Sequence, residues 1–133
     1  MNEESEITAE GNSRLDALRH QIAQRRWREE VKGVEHNGAR FRGDSDGRQA
    51  VTEAAQFAEM FEAGNGAGTF QVDWKSIDGQ WAEGVTRDDL VSIMQKLGQR
   101  RQACFAREKE LIAQAKADPD GFDQTLIGTG WPV

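Results

Sequence analysis

A β-hairpin is predicted by residues 69–85, whose sequence is TFQVDWKSIDGQWAEGV. If Asp78-Gly79 forms a two-residue turn, Val72 lies opposite Val85 in the paired strands. Because successive side chains of a strand alternate between faces, this register places three aromatic residues on one face: Phe70, Trp74 and Trp81. Such a face is large and apolar, so a helix or a partner protein must cover it.

A second hairpin is predicted earlier in the chain, in residues 34–41, VEHNGARF. Asn37-Gly38 supplies the two positive-φ positions that a type I′ turn requires. Val34 then lies opposite Phe41 on one face of the hairpin, and Glu35 lies opposite Arg40 on the other.

Three helices are predicted around the hairpins. The first begins at Ser13, carries an apolar stripe and ends near Gly33. The second follows the capping residues 44–46 and ends at a glycine-rich connector, residues 64–68. The third begins with the capping sequence at Thr86 and continues to about residue 115.

These elements predict an α+β fold in which two β-hairpins form a small antiparallel sheet packed against two or three helices. Residues 1–12 are polar and acidic, which predicts a flexible tail. Residues 13–32 form an N-terminal helix that can extend outward. A narrow apolar stripe does not stabilise a helix alone, so this helix must either dock on the domain or self-associate. Residues 33–133 form the α+β domain.

Composition excludes several classes of function. The chain has 133 residues and a formal net charge of -6, so it lacks the basic surface that nucleic acid or an acidic membrane requires. No apolar run reaches the roughly 18 residues of a membrane span, and the acidic start is unlike a signal peptide. Cys104 is the single cysteine, which excludes an internal disulfide and a thiolate metal cluster. We therefore expect the protein to stay in the cytoplasm where it is made.

The residues that could carry chemistry have simpler structural interpretations. Cys104 lies in the apolar series of the third helix, which predicts a buried thiol, and His20 and His36 lie on other elements. Asp-x-Asp-Gly turns lack the remaining oxygen ligands of a calcium loop. The run 25–28, Arg-Arg-Trp-Arg, is interpreted as a solvated helical face with Trp27 partly buried. We predict no catalytic residue, no cofactor and no metal site.

The order and spacing of several short motifs carry a family resemblance over the chain from about Arg25 to its C-terminus. The motifs are the Asn37-Gly38 hairpin with Phe41 and later Arg48, the Trp74 strand with Asp78-Gly79, Thr86-x-x-Asp89-Leu90, Cys104-Phe105-Ala106-x-Glu108, and Gly130-Trp131-Pro132. Together they resemble a phage-encoded domain family of unknown function, found beside or within tail-fibre genes of tailed bacteriophages and prophages. Gly47 departs from the pattern, since relatives more often have serine there, and this puts the capping of the second helix in question.

The resemblance implies a structural or adaptor protein of a bacteriophage tail, at the tail tip or fibre base, that becomes part of the virion. It implies binding to tail or tail-fibre proteins and no catalytic residues, and a homotrimer is the expected oligomer. One alternative is a tail-fibre assembly chaperone that is absent from the mature virion. Another is a small phage protein that inhibits a host factor. The predicted partner-binding residues are Leu15, Leu18, Ile22, Trp27, Trp74 and Trp81.

Overall fold

The computed structural model describes the backbone of residues 3–64 and 68–133, and the side chains from residue 12 onward within those ranges. It confirms the α+β class. The elements, in chain order, are α1 (Glu3–Val31), β1 (Val34–His36), β2 (Ala39–Phe41), α2 (Ser45–Ala63), β3 (Gln71–Lys75), β4 (Trp81–Thr86), α3 (Arg87–Ala117) and a short 3₁₀ helix (Gln124–Gly128).

The chain divides into two compact units, and this division differs from the predicted one. The terminal unit consists of Met1–Glu29 and Gln102–Val133, and the central unit consists of Glu30–Arg101. Helix α1 also begins at Glu3 rather than at the predicted Ser13, so residues 3–12 of the predicted tail are helical. This stretch contains no proline, and glutamates favour the first turns of a helix. Residues 1, 2 and 65–67, parts of the predicted tail and connector, lie outside the described residues.

The core of the terminal unit contains the stripe that was predicted to attach the protein to a partner. Leu15 and Leu18 of α1 pack with Ala115 of α3, and Phe122 and Ile127 cover them. Ile22 is also fully buried. The prediction that this stripe is an attachment surface was therefore wrong, because the same chain supplies the apolar cover that an amphipathic helix needs.

The core of the central unit lies between the two hairpins and the helices of that unit. Its buried members are Phe41, Val51, Ala55, Ala58, Phe70, Val85, Leu90, Ile93 and Leu97. Trp74 is half-buried against this core, with its ring 6.2 Å from that of Phe41. The predicted cover for the Trp74 face is thus provided within the chain.

The first hairpin, β1 and β2, has the predicted register. Val34 pairs with Phe41 and Glu35 with Arg40, and Asn37 and Gly38 have φ values of 51° and 82°. The hairpin lies very close to the end of α1: a Cβ at Gly33 would be 1.7 Å from the Phe41 carbonyl oxygen. Gly33 also has a φ of 71°, so both space and backbone conformation require glycine where α1 ends.

The second hairpin, β3 and β4, departs from the predicted register. Its loop contains three residues, 77–79, because the Ser76 N–H donates to the Gln80 carbonyl oxygen at 2.7 Å. Trp81 therefore pairs with Lys75, on the face opposite to Trp74. A bulge between Val72 and Trp74 then restores the predicted pairing of Val72 with Val85.

The two hairpins are separate two-stranded sheets, so the prediction of a single small sheet was wrong. A backbone hydrogen bond of 3.0 Å from the Ile77 N–H to the Arg40 carbonyl oxygen links the second hairpin's loop to β2.

Both helices of the central unit have the predicted capping residues. The Asp44 carboxylate accepts a hydrogen bond of 2.7 Å from the Gly47 N–H at the start of α2, so glycine at position 47 leaves the cap intact. At the start of α3, the Thr86 hydroxyl accepts from the Asp89 N–H and the Asp89 carboxylate accepts from the Thr86 N–H. This reciprocal pair is a capping box.

Candidate binding surfaces

An apolar surface lies on the C-terminal half of α2 in the central unit. Phe57, Met60 and Phe61, which we call the α2 patch, have exposed fractions of 58%, 73% and 36%. The three residues have the i, i+3, i+4 spacing that places side chains on one helix face. Both phenylalanine rings meet the buried ring of Phe70 edge to face, with centroids 5.8 Å apart. The patch is thus held against the core although most of its surface faces solvent.

The α2 patch was not among the predicted partner-binding residues. The sequence of α2 does contain a signal for it, because Val51, Ala55 and Ala58 already complete the stripe that faces the core. Large apolar residues outside that stripe must lie on another face of the helix. A count of two apolar faces on one helix would therefore have identified the patch.

A groove lies along α1 in the terminal unit. Its lining residues are His20, Ala23, Gln24, Trp27 and Arg28, which we call the Trp27 groove, and its volume is about 550 Å³. The Trp27 side chain is 59% exposed, so the prediction that it is partly buried underestimated its exposure. The small side chain of Ala23 leaves a hollow one turn from the large indole.

The neighbouring arginines of the Trp27 groove are engaged inside the terminal unit. The Arg26 guanidinium donates to the Glu108 carboxylate at 2.8 Å and lies over the Phe105 ring, 4.6 Å from its centroid. Arg25 lies 3.7 Å from the Glu29 carboxylate. The interpretation of the whole run 25–28 as a solvated face was thus wrong for Arg25 and Arg26, which are partly buried.

A polar network joins the first hairpin to α3 in the central unit. The Asp89 carboxylate lies 2.9 Å from His36 Nε2, and Lys96 Nζ lies 3.0 Å from His36 Nδ1. Since an ammonium group donates, the Nδ1 atom accepts and Nε2 carries the proton toward Asp89. Hydrogen bonds from the Thr86 backbone and then from His36 lower the pKa of Asp89 to about 2.

This network lies at one side of a small polar cleft of about 200 Å³. Trp81, which is 62% exposed, lines the cleft together with Gln80 and Glu83. Both ring nitrogens of His36 have a hydrogen-bond partner on α3, and these bonds hold the hairpin turn against the start of that helix. The sequence places His36 directly before the Asn37-Gly38 turn but gives no sign of its partners, because Asp89 and Lys96 are distant in the chain.

The C-terminal Gly-Trp-Pro motif is fixed in the terminal unit by backbone contacts. Arg107 Nε donates to the Thr129 carbonyl oxygen at 2.9 Å, and the Trp131 indole N–H donates to the Ile127 carbonyl oxygen at 2.7 Å. A Cβ at Gly130 would lie 2.6 Å from the Arg107 guanidinium. The motif is therefore held in place by contacts within the terminal unit.

The side chains that were weighed for chemistry are dispersed. Cys104 is fully buried, as predicted, while His20 lies in the exposed Trp27 groove. Within residues 3–64 and 68–133, no three His, Cys, Asp or Glu side chains are grouped so as to hold a metal ion. In the same part of the chain, no helix combines the length and apolar character needed to cross a bilayer.

A family model matches the chain over residues 14–126, which is most of its length, and it is described as a domain of unknown function, DUF4376. The chain belongs to the DUF4376 family. The matched range of this DUF4376 domain includes both the α2 patch and the Trp27 groove, whereas Trp131 lies beyond it. Neither the curated proteins nor the solved structures include a match to the chain.

Proposed function

We propose that this DUF4376 protein is a structural or adaptor component of a bacteriophage tail that acts by binding other polypeptides. The observation that carries the proposal is the α2 patch, three large apolar side chains held in place on one helix face. The tail assignment itself comes from the resemblance of the sequence motifs to the tail-fibre-associated family. The protein would then be located in the tail of the virion.

Leaving such large apolar side chains in water costs free energy that a bound polypeptide would recover. Covering a fully exposed Phe or Met side chain contributes roughly 1.5–3 kcal/mol, and Phe57 and Met60 keep more than half of that surface exposed. Contiguous apolar patches on a protein of this size commonly mark interaction sites. Binding of this kind requires no catalytic group.

The experiment is quantitative mass spectrometry of purified phage particles from a phage that encodes this protein. A structural subunit is expected at a fixed copy number per particle, retained through gradient purification. Deletion of the gene should leave capsids intact and change the tail. Retention with a constant copy number supports the proposal.

Two other outcomes would contradict it in distinguishable ways. A protein that binds the fibre during assembly and is absent from particles would be an assembly chaperone. A protein that is absent from particles, leaves tail morphology unchanged on deletion and captures a protein from uninfected cells would be a host-factor inhibitor.

A further inference from the structure

The α2 patch has projecting side chains, and the Trp27 groove is a hollow that can receive side chains of this kind. The patch projects two side chains that are more than half exposed, Phe57 and Met60, from one helix face. The groove offers a hollow of about 550 Å³ beside Trp27, above the small side chain of Ala23. Helices pack when the side-chain ridges of one enter the grooves of the other, and each surface here is one face of a helix.

The two surfaces are also complementary in charge. Glu53 is exposed and precedes Phe57 by one helical turn, so it extends the face of the patch. From residue 49 to the end of α2 the sequence contains three glutamates and no Lys or Arg, and the last turn has no basic residue. The patch therefore lies at the negative end of the helix dipole in an acidic stretch.

The groove carries a positive charge at one of its ends. Arg28 is exposed at one end of its lining and His20 lies at the other end. In an antiparallel arrangement of the two helices, Arg28 would meet Glu53, and His20 would lie near the C-terminal end of α2. Guanidinium and carboxylate groups form strong paired hydrogen bonds in such a position.

Other pairings of the same surfaces are less favourable. A symmetric antiparallel contact of two patches would place each Glu53 beside the negative C-terminal end of the other copy's α2, where the last turn has no basic residue. A symmetric antiparallel contact of two grooves would place each Arg28 beside His20 of the other copy, with no carboxylate among the described lining residues to pair with it. The contact that satisfies both charge and shape is heterologous, with the patch of one molecule in the groove of another.

We infer that the protein self-associates head to tail, with the α2 patch of one copy seated in the Trp27 groove of the next. This inference rests on the proposed function, since it names a second copy as one polypeptide bound by the exposed apolar surface. A heterologous contact closes into a ring when the rotation between copies allows it, and otherwise extends as a filament.

The test is sedimentation equilibrium of the purified full-length protein up to millimolar concentration. The wild-type chain should exceed its monomer mass of 14.9 kDa in a concentration-dependent way. Arg28→Glu alone and Glu53→Arg alone should each weaken association about tenfold or more, because each places like charges in the contact. Glu59→Arg is the matched control, since Glu59 is exposed on the same helix but on a different face.

Mixing the two variants provides the decisive observation. In an equimolar mixture, the glutamate introduced by Arg28→Glu in one molecule can meet the arginine introduced by Glu53→Arg in the other, and the remaining contact is the wild-type pair. Association should therefore return in the mixture to within about threefold of wild type. Circular dichroism and melting temperature establish that each variant is folded.

Several results would overturn the inference. They are a wild-type monomer at millimolar concentration, an Arg28→Glu variant that associates as well as wild type, or a mixture that does not recover. A monomer in solution that is nevertheless retained at fixed copy number in particles would remove the self-association and leave the proposed function intact. If the protein self-associates in solution but is absent from particles, the proposed function is contradicted and the self-association stands.

Discussion

The two hairpins use similar turn sequences and place the first aromatic residue after the turn in opposite environments. Asn37-Gly38 forms the expected two-residue turn, and Phe41 is 1% exposed. Asp78-Gly79 is part of a three-residue loop, and Trp81 is 62% exposed. One additional loop residue is enough to move a tryptophan from the core face to solvent, because side chains alternate along a strand. An Asp-Gly pair therefore locates a hairpin without fixing which residues are buried.

The largest expected effect is that of a substitution in the first hairpin, whose aromatic residue is buried. Phe41→Ala should lower the free energy of unfolding by about 3 to 5 kcal/mol, because it leaves a cavity beside Trp74 in the central core. Urea denaturation followed by tryptophan fluorescence measures this change. A loss below about 1 kcal/mol would mean that the first hairpin is not packed as described.

A second prediction concerns the hydrogen bonds that hold the first hairpin against the start of α3. The pKa of Asp89 is about 2 in the folded protein against an ordinary value of 3.8. The stabilisation, about 2 kcal/mol, is fully present above about pH 4 and is lost as the pH falls from about 4 to about 2. Wild type and Asp89→Asn should therefore differ in unfolding free energy at neutral pH and converge in strong acid. A difference that is constant with pH would contradict the His36 and Thr86 contacts.

The bulge of the second hairpin gives a smaller effect. Gly84 has a φ of 64°, and a Cβ there would meet open space. Gly84→Ala should therefore cost about 1 kcal/mol through backbone strain alone. Gly33→Ala, between α1 and the first hairpin, should cost more, because its Cβ would collide with the Phe41 carbonyl. Equal melting temperatures for the two variants would argue against this difference.

The smallest expected effect is that of Trp81→Ala. An exposed tryptophan contributes little to packing, so Trp81→Ala should change the free energy of unfolding by no more than about 0.5 kcal/mol. The melting temperature should change correspondingly little. Differential scanning calorimetry is sensitive enough to detect a larger change. A loss of about 3 kcal/mol would mean instead that the hairpin has the two-residue turn and that Trp81 is buried in the core.

The sequence predicts local structure well where a residue's role is set by its neighbours in the chain. The Asn37-Gly38 turn, the Asp44 cap and the Thr86 capping box depend on contacts within a few residues. The cover of Leu15 and Leu18 could not be predicted, because Ala115 and Phe122 come from the far end of the chain. The α2 patch was missed because the apolar residues of α2 were taken as a single stripe, whereas the buried stripe and the patch lie on different faces of the helix.

The central claim is that the α2 patch binds another polypeptide in the phage tail. The most direct measurement is a competition in one infected culture between the wild type and the Phe57→Ser/Met60→Ser variant, distinguished by mass in purified particles. We expect the variant to be depleted at least about tenfold relative to its share in the lysate, because two large apolar contacts are lost. Glu59→Ser, on another face of α2, should be incorporated like wild type. Equal incorporation of the folded patch variant would contradict the claim.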